Sequence, residues 1–239
     1  MALGFGWKAR IGQLYPSAGL CDYEPQAMAP NGVQFLTTRL AFRRARLEDD
    51  AALVRDIEEH ARLVADARPD LVVLNCTAAG MLAGAESINR RLHAATGIRA
   101  TTTIEAVMRA LSAAGLRRLA LMTPYVPDVV AAEIAFFEAQ GLTVGAQAHL
   151  PCEDPVEQGS VAPQRWVALA RGLHAADCDG LLISCAGIQI ASVIGQIEEE
   201  FGRPVVTSNQ ALVWHCLRML GLPDRPQGFG ALLAGHFDR

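Results

Sequence analysis

The second half of this chain repeats the first, and the repeat restricts the possible folds more than any other feature. Arg10-Ile-Gly-Gln-Leu-Tyr-Pro16 is echoed by Arg118-Leu-Ala-Leu-Met-Thr-Pro124. Ala67-Arg-Pro-Asp-Leu-Val-Val-Leu-Asn-Cys76 is echoed by Ala176-Asp-Cys-Asp-Gly-Leu-Leu-Ile-Ser-Cys185. The segment from Gly97 to Ala106 is echoed by Gly202 to Ala211, each a short apolar run entering a helix through hydroxyl residues. The offsets are 108, 109 and 105 residues, in one order, so three units recur at nearly one spacing.

Each unit is a short apolar run followed by an amphipathic stretch, the pattern of a parallel sheet covered by helices. The clearest runs are Arg10 to Tyr15, Leu71 to Leu74, Arg118 to Met122, Gly180 to Ser184 and Pro204 to Val206. Between them Leu53, Ile57, Ala61 and Val64 share one helical face, as do Trp166, Leu169, Ala170 and Leu173. The expected fold is therefore α/β: two similar lobes, each a parallel sheet flanked by helices, related by a pseudo-twofold axis. Residues 1–115 form the first lobe and 116–239 the second, with the boundary near Gly115 and the last helix packing back on the first lobe.

The repeat singles out two of the six cysteines. Cys76 and Cys185 each end an apolar strand and precede a turn of small residues, Thr77-Ala-Ala-Gly80 and Ala186-Gly187. Ligands of open parallel sheets bind beyond the carboxyl ends of the strands, where the next helix aims its first amides. A thiol placed there is expected to have a lowered pKa. If the lobes face each other, the two thiols flank one bound molecule. Cys21, Cys152, Cys178 and Cys216 lack this symmetry and read as structural.

Other classes of function find little support. The net charge is −4, with no basic stripe, which argues against nucleic-acid and membrane partners. No apolar stretch is long enough to span a bilayer, and residues 1–11 do not read as a signal peptide. Cytoplasmic, reduced thiols are expected. No CxxC, zinc-knuckle or Gly-rich nucleotide motif occurs, so neither a metal nor another cofactor is expected. The six histidines lie away from the strand ends and suggest no Cys-His dyad. A homo-oligomer is allowed.

Asn75-Cys-Thr77, Ser184-Cys-Ala-Gly187, Thr123-Pro-Tyr125 and Val206-Thr-Ser-Asn-Gln-Ala211 followed by Trp214 resemble the maleate isomerase and arylmalonate decarboxylase branch of the aspartate/glutamate racemase superfamily. The resemblance runs from about Ile11 to Phe229. It implies two facing thiols that act on a carbon next to a carboxylate. In the isomerases the thiol matching Cys76 attacks a double bond and the other exchanges a proton. The decarboxylase keeps only the thiol matching Cys185 and has glycine opposite. Cys76 thus favours two-sided chemistry. The turn Pro16-Ser-Ala-Gly19 is closer to the decarboxylase than to the isomerases' Pro-Ser-Ser-Asn, and Ala78 stands where the decarboxylase has a serine.

All these reactions develop negative charge beside a carboxylate. The side chains of Ser17, Thr77 and Tyr125 and the amides of Ala78, Ala186 and Gly187 are the expected donors. Ser208 either caps the last helix or lines the cleft. The irregular segment 150–162 either connects elements or covers the cleft, with Val156 as a pocket wall. The leading expectation is a cofactor-independent racemase or cis-trans isomerase of a small carboxylate, with Cys76 and Cys185 as the catalytic pair. The alternatives are an arylmalonate decarboxylase-like lyase and a non-catalytic carboxylate binder.

Overall fold

The computed structural model describes residues 6–238. Its strands are β1 (Ala9–Pro16), β2 (Val33–Leu40), β3 (Leu71–Leu74), β4 (Ala100–Thr102), β5 (Arg118–Thr123), β6 (Thr143–His149), β7 (Gly180–Ile183) and β8 (Val205–Thr207). They form two four-stranded sheets, ordered β2-β1-β3-β4 and β6-β5-β7-β8, and every pairing is parallel. The two orders are the same topology used twice. Helices α1 (Glu24–Met28), α2 (Leu47–Ala52), α3 (Ile57–Ala65), α4 (Thr77–Ala83), α5 (Ala85–Thr96) and α6 (Thr103–Ala113) accompany the first sheet. The second has α7 (Pro127–Ala139), α8 (Pro155–Ser160), α9 (Pro163–Gly172), α10 (Ile194–Phe201), α11 (Ser208–Met219) and α12 (Gly230–Leu233).

The inner strands β3 and β7 read Leu-Val-Val-Leu and Gly-Leu-Leu-Ile and are buried throughout, as strands covered on both faces must be. Strand β2 alternates buried and open positions, and its Gln34, Thr37, Thr38 and Arg39 make it an edge strand that lacks an apolar run. Ile57, Ala61 and Val64 form the buried face of α3, whereas Leu53, expected on the same helical face, is buried at the end of α2, a turn before α3 begins. Gly115, with φ of 71°, sits between α6 and β5.

The helices that follow the fourth strand of each sheet are built alike. Thr102 caps α6 by accepting from the Glu105 amide, and Thr207 caps α11 by accepting from Gln210, whose side chain returns the bond. Such caps are worth about 1 kcal/mol each. These two helices pack on one another, and α11 also packs on α1. Short α12 packs on α10, α11 and β8. The carboxylate of Glu24 accepts from the amides of Ile190 and Ala191, 3.0 and 2.8 Å away, tying α1 to the second half.

Candidate active site

The carboxyl ends of β1, β3, β5 and β7 meet at one cavity. It is lined by Tyr15, Pro16, Gly19, Phe42, Ala45, Asp50, Cys76, Thr77, Ala78, Tyr125, Pro155, Gln158, Cys185, Ala186 and Gly187, and no Lys, Arg or His is among them. The cavity is narrow, with a volume of ≈ 30 Å³. Among the described residues no group of three or more His, Cys, Asp or Glu is placed to hold a metal ion.

Both symmetric cysteines open into this cavity, at 8% and 5% exposure. Cys76 is the residue before α4, and the Ala79 amide points at its sulfur. Its thiol donates to Asp50 Oδ1 at 3.8 Å. In the same cavity, the Gly187 amide donates to the Cys185 sulfur at 3.1 Å, the Tyr125 hydroxyl faces it, and the thiol lies 3.7 Å from Gln158 Oε1. A side chain on residue 187 would bring its Cβ to 3.1 Å from Gln158 Oε1 and 3.3 Å from the Cys185 sulfur, so the close approach requires glycine.

The expected lowering of the thiol pKa does not occur in the cavity. Burial dominates both groups: Cys185 is pushed up to about 12 and Cys76 well above the ordinary thiol value, while the Gly187 and Ala79 amides pull the other way and lose. Two carboxyls are also buried here without a cation. Asp50, in α2, is raised to about 7 by burial, partly offset by the Cys76 thiol. Glu133, in α7, is raised to about 8 by burial, although the Ser184 hydroxyl donates to it.

The remaining expected site residues divide. Thr77, Ala78, Tyr125, Ala186 and Gly187 line the cavity. Ser17 does not: its hydroxyl accepts from the Phe42 amide at 3.0 Å and donates to the Phe42 carbonyl at 3.1 Å, which holds Phe42 over the cavity. Val156 does not line it either. The segment that sequence left irregular contains α8, capped by the Asp154 carboxylate, and that helix turns Val156 to solvent at 47% exposure. Its Pro155 and Gln158, three residues apart, face inward instead. Ser208 neither caps nor lines the cavity. Thr207 takes the cap, and the Ser208 hydroxyl, fully buried behind the thiols, accepts from Thr77 Oγ1 at 2.9 Å and from the Cys185 amide at 3.1 Å.

A second bridge reinforces this one. Asn75 Nδ2 donates to Gln13 Oε1 and Asn209 Oδ1, and Asn209 Nδ2 donates to the Ala186 carbonyl at 3.0 Å. Thus the segments that carry the two cysteines are joined across the halves by side-chain hydrogen bonds, Thr77 to Ser208 and Asn75 to Asn209. Tyr15 adds another link: its hydroxyl accepts from the Cys21 amide and donates to the Ala186 carbonyl. Its ring lies so close to Gly19 that a Cβ there would fall 2.5 Å from it. All six cysteines are free and buried. No helix is long and apolar enough among the described residues to cross a membrane.

Sequence reasoning missed Asp50, Gln158, Tyr15, Phe42 and Ala45. Only Tyr15 carried a signal, its place at the end of β1 beside the site.

Known proteins match this chain over nearly its whole length. It is 31% identical to the maleate isomerase of Nocardia farcinica, covering 94% of this chain and 95% of that one. It is 30% identical to the arylmalonate decarboxylase of Bordetella bronchiseptica, with 91% and 92% covered. A mutant of the Nocardia farcinica maleate cis-trans isomerase with a covalently bound succinylcysteine intermediate superposes with a TM-score of 0.87 at 25% identity, covering 95% of this chain and 98% of that structure. The arylmalonate decarboxylase family model matches residues 11–233, and the chain belongs to that family.

Proposed function

We propose that this protein is a cofactor-independent cysteine isomerase of a small unsaturated carboxylate, of the maleate isomerase type, working between lobes 1–115 and 116–239. The observation that carries the reading is the cysteine pair: two thiols lining one cation-free cavity. Cys76 supplies the electron pair. Its S–H bond breaks with the proton passing to a base in the cavity, and elimination later returns that proton to sulfur. The sulfur adds to the carbon-carbon double bond, and the negative charge moves toward the neighbouring carboxylate as an enolate-like species. Cys185 gives that carbon its proton, and the resulting thiolate is held by the Gly187 amide and the Tyr125 hydroxyl. The carbon-carbon bond is now single and rotates. Cys185 takes the proton back, the carbon-sulfur bond breaks, and the trans product leaves with no net change in atoms or charge.

The substrate carboxylate is held by neutral donors. Gln158 Nε2 is buried without a protein partner and is free for a carboxylate oxygen. The amides of Ala78 and Ala186 and the Thr77 hydroxyl lie around the same space. Their worth rests on exclusion of water, since hydrogen bonds to charge strengthen at low dielectric.

Proton NMR of the purified protein with maleate, and with a panel of aspartate, glutamate, hydantoins and malonates, tests the reading. Conversion of a cis alkene acid, with a substrate adduct on Cys76 trapped in Cys185→Ser and seen as a mass increase, is the expected result. A second reading, carbon dioxide loss from an arylmalonate, is favoured by one observation: Pro16, Phe42, Ala45 and Pro155 give the cavity an apolar wall suited to an aryl group. Release of carbon dioxide without any alkene isomerisation decides for it.

A further inference from the structure

Asp50 occupies a place that an isomerase using neutral donors does not need. It is 4% exposed, lines the cavity, and has the Cys76 thiol as its hydrogen-bond partner. No Lys, Arg or His pairs with it among the described residues. Its neighbour Asp49 is the one engaged by Arg44, at 3.2 Å. An uncompensated carboxyl in such a place is destabilising, and helix α2 offers surface positions for acidic residues, as at Glu48. The position therefore calls for a chemical reason.

We propose that the Asp50 carboxylate, held 3.8 Å from the Cys76 sulfur by the packing of α2 on α4, is the base that takes the Cys76 proton as that thiol attacks. The need follows from the surroundings. Burial strongly disfavours the free thiolate at Cys76, and no cation or histidine is present to stabilise it. Moving the proton along the existing S–H···O contact avoids forming a bare buried thiolate before attack. In the step, the sulfur-carbon bond forms, the S–H bond breaks, and the proton stays on Asp50 Oδ1; elimination returns it to sulfur. The groups facing Asp50 are Cys76 from the start of α4, Cys185 beyond β7, Tyr125 beyond β5, Glu133 of α7 and Asp49 on its own helix. All are acids that are neutral or anionic, and they oppose a second negative charge. Burial, with a smaller push from Asp49, raises Asp50 to about 7, near neutrality, where a general base is most effective.

This inference rests on Cys76 as the attacking thiol, but its test needs no substrate. Iodoacetamide alkylates a thiol by forming a sulfur-carbon bond with loss of iodide, and the proton must go to a base. Labelling of Cys76 is followed by peptide mass from pH 5 to 10 in the full-length protein and in Asp50→Asn, with Cys185 labelling in the same samples as the control for folding. In the native protein the Cys76 rate rises through an inflection near pH 7. In Asp50→Asn that inflection is lost and the rate at pH 7.5 falls by about 10²-fold, while Cys185 changes less than about threefold. Asp50 also opposes the thiolate charge, so if repulsion were its only effect, Asp50→Asn would label Cys76 faster. A rate that rises, or falls less than about tenfold, overturns the proposal, and so does a native profile without the inflection. A protein that turns over no carboxylate would sink the functional reading and leave this one to the labelling result.

Discussion

Cys76 and Cys185 occupy equivalent places in two halves of one topology, yet their acceptors and donors differ. The Cys76 sulfur meets one donor, the Ala79 amide, and an ionisable acceptor, the Asp50 carboxyl. The Cys185 sulfur meets two donors, the Gly187 amide and the Tyr125 hydroxyl, and a neutral acceptor, Gln158 Oε1. Acceptors favour the thiol and can receive its proton; donors favour the thiolate that remains once a proton has left. In the proposed mechanism the symmetric pair therefore does different work: Cys76 loses its proton to the protein, and Cys185 lends its proton to the substrate.

The largest expected effects test whether both thiols are needed. Cys185→Ala should lower isomerisation at least about 10³-fold, because no other group in the cavity delivers a proton to that face. Cys76→Gly should abolish isomerisation equally and leave decarboxylation of an activated arylmalonate intact or improved, which parallel assays of the two reactions would read. A native reaction that survives unimpaired in Cys76→Gly while Cys185→Ala stops it would reverse the assignment in favour of a one-thiol lyase.

The buried carboxyl behind Cys185 gives a stability effect of a few kcal/mol. Glu133 titrates near 8 in the folded protein against about 4.5 when unfolded, so between those values the native state binds more protons than the unfolded chain. Stability due to this group therefore falls as pH rises from about 4.5 through 8. Glu133→Gln keeps an oxygen for the Ser184 hydroxyl and removes the titration. Its unfolding free energy should exceed the native one above pH 8, by an amount on the order of a few kcal/mol, and the gap, followed by melting at each pH, should close toward pH 5. A gap that widens on acidification would show that the carboxylate is stabilised as an anion.

A smaller effect sharpens the donor side. Tyr125→Phe removes a hydroxyl that holds the Cys185 pKa down, so Cys185 alkylation should need higher pH and kcat should fall about tenfold. Cys76 alkylation should be nearly unchanged; an equal shift at both thiols would mean that Tyr125 acts through packing alone. The smallest effect belongs to Val156. Because it faces solvent, Val156→Ser should change stability by less than about 0.5 kcal/mol and turnover by less than twofold, measured by melting and by steady-state rates.

Much of this architecture is written locally in the chain. The apolar runs of β3 and β7 leave few alternatives to buried parallel strands, and the helical faces around Ile57 and Trp166 follow from a 3.6-residue period. The repeat then identifies Cys76 and Cys185, since two matched thiols at matched strand ends need no long-range contact to be recognised. Strand β2 escaped because an edge strand with one open face carries polar residues at alternate places, so it has no apolar run.

What only the tertiary structure decided lies one step from the thiols and was set by contacts between distant residues. Nothing in Leu47-Glu-Asp-Asp50 separates Asp50 from the two acids before it; the packing of α2 on α4 buries that one and exposes Glu48. The turn of a short helix put Gln158 inward and Val156 outward, a matter of phase that a segment read as irregular does not contain. Ser208 lost the cap to Thr207 because Gln210 completes a capping box one residue earlier, and its hydroxyl then reached across to Thr77. Periodicity and repeats determine strands, helices and the cysteine pair because they are properties of neighbouring residues. The charge and wiring of the site depend on which elements bury each other, and burial is decided only when the whole chain is packed.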